Sequence, residues 1–181
     1  MAEHIVDEVD KATARLGNFL TFARQRQAKE ARVDVRAVVV KVAAVMRADF
    51  NAAGVELSLA CSPLRILADE EMLSQILVNL LLNSLHASSA GTTVSVRTES
   101  HGNFVQLSVE DQGSGIEPGL LPDIFKPYIS GRAGGHGLGV AIVRRFVEQP
   151  GWTIRADSQV GRGTRITISG IRRVKNGEAG T

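Results

Sequence analysis

The apolar run Phe104-Val105-Gln106-Leu107-Ser108-Val109 alternates with period two and ends in Glu110-Asp111-Gln112-Gly113-Ser114-Gly115-Ile116. Period two places every second side chain on one face, so the run predicts a half-buried strand. Such a strand needs a covering layer, and it delivers Asp111 straight into a glycine turn. Gly113 and Gly115 have no Cβ, so the backbone there can take positive φ and a flat ligand can come close. A β-turn capped by the Asp111 side chain is the plain alternative. The surroundings weigh between the two: an asparagine-bearing helix lies upstream, and a second glycine cluster opening a helix lies downstream.

The upstream helix is predicted over Glu70–Ala87, with Asp69 as its N-cap. Met72, Leu73, Ile76, Leu77, Leu80, Leu81 and Leu85 make it apolar over much of its circumference. Gln75, Asn79 and Asn83 fall four apart and share one stripe. Asn is mildly unfavourable inside a helix, and a buried amide costs free energy unless it is hydrogen-bonded. Two such amides on an apolar helix want a partner. A Mg²⁺ ion with phosphate oxygens is one answer; bonding to a neighbouring loop is the other.

The downstream cluster, Gly135-His136-Gly137-Leu138-Gly139, opens a helix over Leu138–Gln149, stopped by Pro150-Gly151. Free amides at a helix N-terminus with glycines around them make an anion site. A dinucleotide fingerprint does not fit the context: no strand leads directly in, and no acidic residue follows at the required distance in a βαβ unit. Between the two clusters, Leu121–Gly135 combines an apolar latch (Ile124, Phe125, Pro127, Tyr128, Ile129) with Gly131, Gly134 and Gly135. That pattern predicts a lid, or an irregular loop pinned into the core by Phe125.

The rest of the chain supplies the covering layers. Residues 4–30 read as one long helix whose Ile5, Val9, Ala12, Leu16, Phe19 and Ala23 form a seam of the coiled-coil kind. Val33–Val35 is a short strand candidate. Arg36–Ala53 is an amphipathic helix with Val38, Val39, Val42, Val45, Met46 and Phe50 apolar, closed by Gly54. Strands are predicted at 55–60, 65–68, 92–100, 104–110, 152–157 and 165–169, and the residues after Gly170 read as a frayed polar tail. Cys61 is the only cysteine, so no internal disulfide forms, and a small core residue is its expected role. A formal charge of +2 over 181 residues is too small to argue for a nucleic-acid or membrane partner, and no nucleic-acid partner is expected. No apolar run reaches the roughly 20 residues that span a bilayer, and no signal peptide is visible. These features lead us to expect a cytoplasmic setting.

Together the motifs resemble the catalytic ATP-binding domain of sensor histidine kinases, of the GHKL superfamily shared with gyrase, Hsp90 and MutL. Gln75-x-x-x-Asn79-Leu80-Leu81-Leu82-Asn83-Ser84 resembles the N box, Asp111-x-Gly113-x-Gly115 the G1 box, Ile124-Phe125-Lys126-Pro127-Tyr128 the F box, and Gly135-His136-Gly137-Leu138-Gly139 the G2 box. Gly161-x-Gly163-Thr164 resembles the last glycine motif. The resemblance implies a two-layer α/β sandwich, the Bergerat fold, with a mixed sheet packed on three helices and one long N-terminal helix ahead of it. It implies ATP and Mg²⁺ as cofactors. The nucleotide would be bound by Asn79, Asn83, His86, Asp111, Gly113, Gly115, Ile116, Phe125, Lys126, Tyr128, Gly135, His136, Gly137, Leu138, Gly139 and Thr164. Asn83, supported by Asn79, would hold the metal, and Asp111 would read the adenine amino group.

By the same resemblance, residues 1–30 are the second helix of a dimerisation and phosphoacceptor hairpin, 31–170 the catalytic domain and 171–181 a tail. His4 is followed by Ile-Val-Asp-Glu, which does not match the family's acceptor-histidine box. The expectation is therefore a histidine kinase portion whose acceptor histidine is absent from the chain and which does not phosphorylate itself. Its partners would be an acceptor hairpin and a response regulator, with a homodimer in the full-length protein. A Ser/Thr kinase of the anti-sigma-factor type and a non-catalytic ATP-gated docking module are the rival readings. A gyrase-like ATPase is disfavoured because Gln75 and Asn79 stand where a water-activating glutamate is needed.

Overall fold

The computed structural model of the protein describes residues 29–129 and 137–174. The helix expected over 4–30 lies outside these residues, except for Lys29 and Glu30, which are not helical. Gly135, His136 and the chain from residue 175 also lie outside them.

Strand β1 (Ala31–Asp34) ends at the residue that starts helix α1 (Val35–Ala52): the Asp34 carboxylate accepts from the Ala37 amide at 3.2 Å. This is N-capping, and it fixes the helix start one residue earlier than the sequence suggests. Val35, Val38, Val39, Val42, Ala43, Met46 and Phe50 face the core. Val45 does not: it is 77% exposed. It sits one residue, or about 100°, from Met46, and Ala43 takes the core position instead. Gly54, at φ +66°, follows the helix as a left-handed stop.

Strands β2 (Glu56–Ala60) and β3 (Arg65–Ala68) lead to helix α2 (Glu70–Ala87), capped by Asp69, whose carboxylate accepts from the Glu71 and Met72 amides. Strands β4 (Thr93–His101) and β5 (Phe104–Asp111) form a hairpin, followed by helix α3 (Gly139–Glu148) and the hairpin of β6 (Thr153–Gln159) and β7 (Gly163–Arg172). The main sheet has the order β2-β4-β5-β7-β6, and β2 runs parallel to β4 while the other pairs are antiparallel. It is a mixed sheet, as expected. β1 and β3 make a separate antiparallel ribbon.

Alternation along β4 and β5 puts Val94, Val96, Val105, Leu107, Val109 and Asp111 on the buried face. Helix residues Leu73, Ile76, Leu77, Leu81, Val143 and Val147 share one cluster with the apolar members of this face. The opposite face carries Arg97, Glu110 and Arg165, with Glu110 within 2.8 Å of Arg165. Cys61 is half-buried and packs against this core, where burial pushes its thiol pKa up.

The expected frayed tail is corrected for its first residues. β7 continues to Arg172, Ile171 is 1% exposed, and Arg173 bridges to Ile66 while the Val174 amide donates to the Arg65 carbonyl. These contacts join the small ribbon to the main sheet.

Candidate functional site

β5 ends at Asp111, and the pleat points that carboxylate toward the helices. It is 6% exposed. One of its oxygens accepts from the Gly113 amide at 3.0 Å and the Thr164 amide at 3.2 Å. The Ser84 hydroxyl of α2, itself 6% exposed, also donates to the carboxylate. Burial pushes the Asp111 carboxyl above the ordinary carboxylate range; the two amides and Ser84 pull it back, and the negative charge of Glu110 adds to the rise. A buried acidic side chain with a net upward shift is the sort of group that functional sites contain.

The glycines of this turn serve a different purpose from the one expected. Gly113 does not have positive φ. A Cβ there would strike the carbonyl of Ala87, the last residue of α2, which also accepts from the Ser114 amide. Gly115 is at φ +69° and its missing Cβ makes room for the Gln159 carbonyl. Gly163, at φ +109°, packs on the Asp111 carbonyl in the same way. Absence of side chains lets three backbone segments close on Asp111, rather than leaving space for a ligand at each glycine. Ile116 donates its amide to Ser158 Oγ at 2.9 Å, and Ser158 Oγ lies 2.9 Å from Thr164 Oγ1. Asp111, Gly113, Gly115, Ile116 and Thr164 are thus brought together.

A second group lies one helix face away. Gly139 opens α3 directly against the amide stripe of α2: a Cβ on Gly139 would stand 3.3 Å from Asn79 Oδ1 and 3.6 Å from Asn83 Oδ1. Gly137, at φ +61°, and Leu138 precede that helix start. Leu138 makes no side-chain cap and its carbonyl accepts from Ile142. The expected burial of the amides is only half right. Asn79 is half-buried and gives its Nδ2 to the Gln75 carbonyl at 2.9 Å, whereas Asn83 is exposed. An exposed amide beside a helix N-terminus, with no hydrogen bond to another described residue, is open to a ligand.

The remaining candidates are scattered. His86 is exposed on α2. Ile124, at 9% exposure, is the buried anchor of the loop after Asp111, and Phe125 is only half-buried. Lys126 is exposed and pairs with Asp123 at 2.6 Å. Tyr128 is 74% exposed at φ +65°, a strained conformation for a residue with a Cβ. Its amide donates to Gly137 O at 3.0 Å, pinning together the two flanks of residues 130–136. Among the described residues, Phe125, Lys126 and Tyr128 make no hydrogen bond to Asp111, Asn79 or Asn83.

Ser84 stands in the N-box motif without an expected role of its own, and Ser158 was not anticipated. Ser84 had one usable signal: it continues the Leu73, Leu77, Leu80 stripe of α2, so a hydroxyl was placed on a core face. Ser158 had none, since its contacts are made across strands.

Residues 68–172 match the family described as histidine kinase-, DNA gyrase B-, and HSP90-like ATPase. The chain belongs to this ATPase family. Within it, the sensor histidine kinase ZraS of Klebsiella oxytoca is 36% identical over 164 residues, which are 89% of this chain and 36% of ZraS. The signal transduction histidine-protein kinase AtoS of Escherichia coli (strain K12) is 33% identical over 172 residues, or 91% of this chain and 28% of AtoS. The chain therefore spans about a third of the curated relatives it matches. The crystal structure of full-length ShkA in complex with AMPPNP superposes with a TM-score of 0.84 at 28% identity, covering 94% of this chain and 38% of ShkA. The ATPase fold thus agrees with the two-layer sandwich drawn from the motifs.

Proposed function

We propose that this chain is the ATP-binding catalytic portion of a two-component sensor histidine kinase. It moves the γ-phosphoryl group of ATP to a histidine on a phosphoacceptor hairpin. The observation that carries the reading is the pairing of two unlike sites along α2. Ser84, near its C-terminus, meets the buried carboxylate of Asp111, while Asn79 and Asn83 meet the start of α3. An acceptor-only carboxylate suits an adenine amino group and repels the oxygen that guanine presents there. Helix-start amides with two carboxamides suit phosphates and a hard cation.

The donor set fits Mg²⁺: Asn83 is exposed beside Asn79 and both offer oxygen. When bound, the ion would neutralise phosphate charge. Asn83, Asn79, the α3 amides, Lys126 and His86 would orient the phosphates, and Ile116, Leu138, Phe125, Tyr128 and Thr164 would border the nucleoside. The AMPPNP held by ShkA and the kinase relatives support this reading. A response regulator as downstream partner and a homodimer in the full-length protein belong to the same proposal. None of the described helices is long and apolar enough to cross a membrane. The Ser/Thr-kinase and docking-module readings are disfavoured by relatives that are sensor histidine kinases.

The test is transfer of γ-labelled phosphate from ATP with Mg²⁺, run on the chain alone and with a hairpin peptide carrying an acceptor histidine. Acid-labile, base-stable label on the hairpin is the expected result. Acid-stable label would replace the reading with a Ser/Thr kinase. Bound ATP with no transfer in either tube would leave a docking module.

A further inference from the structure

Ser158, Thr164 and Asp111 stand in one cross-strand row: Ser158 is opposite Thr164, and Thr164 is opposite Asp111. Directly paired residues project from the same sheet face, here the face that buries Asp111. Ser158 Oγ has three partners: the Ile116 amide at 2.9 Å, the Gly163 carbonyl at 3.0 Å and Thr164 Oγ1 at 2.9 Å. A serine hydroxyl has one proton to give and two lone pairs to receive with. The Ile116 amide can only donate, which uses one lone pair. The Gly163 carbonyl can only accept, which uses the proton. The remaining lone pair must accept from Thr164, so the Thr164 hydroxyl proton is directed at Ser158.

We infer that Ser158 is a specificity-determining positioning residue: by taking the Thr164 proton, it leaves Thr164 facing the nucleotide as an acceptor only. Beside it, Asp111 is an acceptor too, and the Ser84 hydroxyl spends its proton on that carboxylate. Among the described residues the site then presents two acceptors and no side-chain donor to the substituent at purine C6. An amino group is bound and a carbonyl oxygen is repelled. Without Ser158 the Thr164 hydroxyl is free to turn and donate, and the site tolerates a 6-oxo purine. Ser158 touches no nucleotide atom in this account; it acts through Thr164. The inference rests on the placement of an adenine nucleotide at Asp111.

ATP and inosine triphosphate differ at C6 in the required sense, amino against oxo. Their dissociation constants are measured with Mg²⁺ on the full chain and on Ser158→Ala, Ser158→Cys and Ser158→Thr, with thermal melting as a check on folding. The preference for ATP is expected to fall about fivefold in Ser158→Ala, one net hydrogen bond transferred to the oxo purine. Ser158→Cys, nearly isosteric but a weak hydrogen-bonding partner, shows the same trend should the alanine variant not fold. Ser158→Thr retains the hydroxyl and the preference. A purely structural role would weaken both nucleotides equally. An unchanged ratio in the alanine and cysteine variants, or the same fall in Ser158→Thr, overturns the role of Ser158 and leaves the ATP site standing. Failure of the unsubstituted chain to bind either nucleotide overturns the placement of adenine and this inference with it.

Discussion

Asp111→Asn is predicted to separate nucleotide binding from stability. Asparagine is nearly isosteric, and its Oδ1 can still accept from the Gly113 and Thr164 amides. The substitution removes a charge whose burial outweighs the hydrogen bonds it receives, as the upward direction of the Asp111 pKa shows. The folded-state value lies above the unfolded one, so the chain takes up a proton at Asp111 on folding in the window between the two. Stability falls as pH rises through that window, and above it the unfavourable charge is fully present. At neutral pH the asparagine variant is therefore expected to melt at the same temperature or higher. ATP binding has the opposite sign. It needs the ionised acceptor, so affinity rises with pH through the same window, and Asp111→Asn places a donor against the adenine amino group. A hydrogen bond to a charged group contributes about 1.5–3 kcal/mol, which corresponds to a loss of about 10-fold to 100-fold in affinity. Asp111→Ala makes the contrast. It loses the same nucleotide contact but also strands two backbone amides, at about 1–3 kcal/mol for each that stays dry. Calorimetric titration with ATP and thermal melting of the three proteins across pH 4–8 test this. Unchanged ATP affinity in Asp111→Asn refutes the adenine assignment; a clear fall in its melting temperature at neutral pH refutes the claim that the charge is destabilising.

Three further outcomes follow from the geometry. Gly115→Ala introduces a Cβ at φ +69° against the Gln159 carbonyl; it should destabilise more than Gly102→Ala, which is at φ +62° with nothing within 4 Å and should cost only about 1–2 kcal/mol in chemical denaturation. Asn83→Ala, at an exposed position, should change stability by no more than about 0.5 kcal/mol while abolishing the Mg²⁺ dependence of ATP affinity; an unaltered dependence removes Asn83 from the metal site. Ile171→Ala should cost about 2–5 kcal/mol in the same denaturation assay, whereas a frayed tail would show no effect.

That last residue marks where sequence periodicity stops being informative. The strands and helices between residues 31 and 170 were legible because switches between period two and period 3.6 are punctuated by Gly54, Pro63, Gly102 and Pro150-Gly151. Ile171 was not. Val105 pairs with Ile171 and Leu107 with Ile168, so two steps on β5 match three on β7. That is a bulge, with Gly170 at φ +79° within it. It turns Ile168 and Ile171 to the same face although they are three apart, and a strict alternation would send Ile171 to solvent. Asp111 and the Asn79 and Asn83 stripe were legible because one sits at a strand end and the others share a helix period. The purpose of the glycines was not, because the groups they make room for come from distant Ala87, Gln159 and Asp111 carbonyls.

The arrangement along α2 has a consequence for how a ligand must lie. From Asn79, in the middle of α2, to Ser84 the helix rises about 7.5 Å, five residues at 1.5 Å each. Around Asn79 and Asn83 the helix meets the start of α3, where backbone amides and carboxamides favour negative charge. At Ser84 it meets Asp111, where a further negative charge would be repelled by a carboxylate already short of solvent. A molecule carrying an anion at one end and a hydrogen-bond donor at the other is held in one direction only, because reversing it sets anion against carboxylate. Unlike partners set along the C-terminal half of one helix therefore favour a single direction for any ligand that carries an anion at one end and a donor at the other.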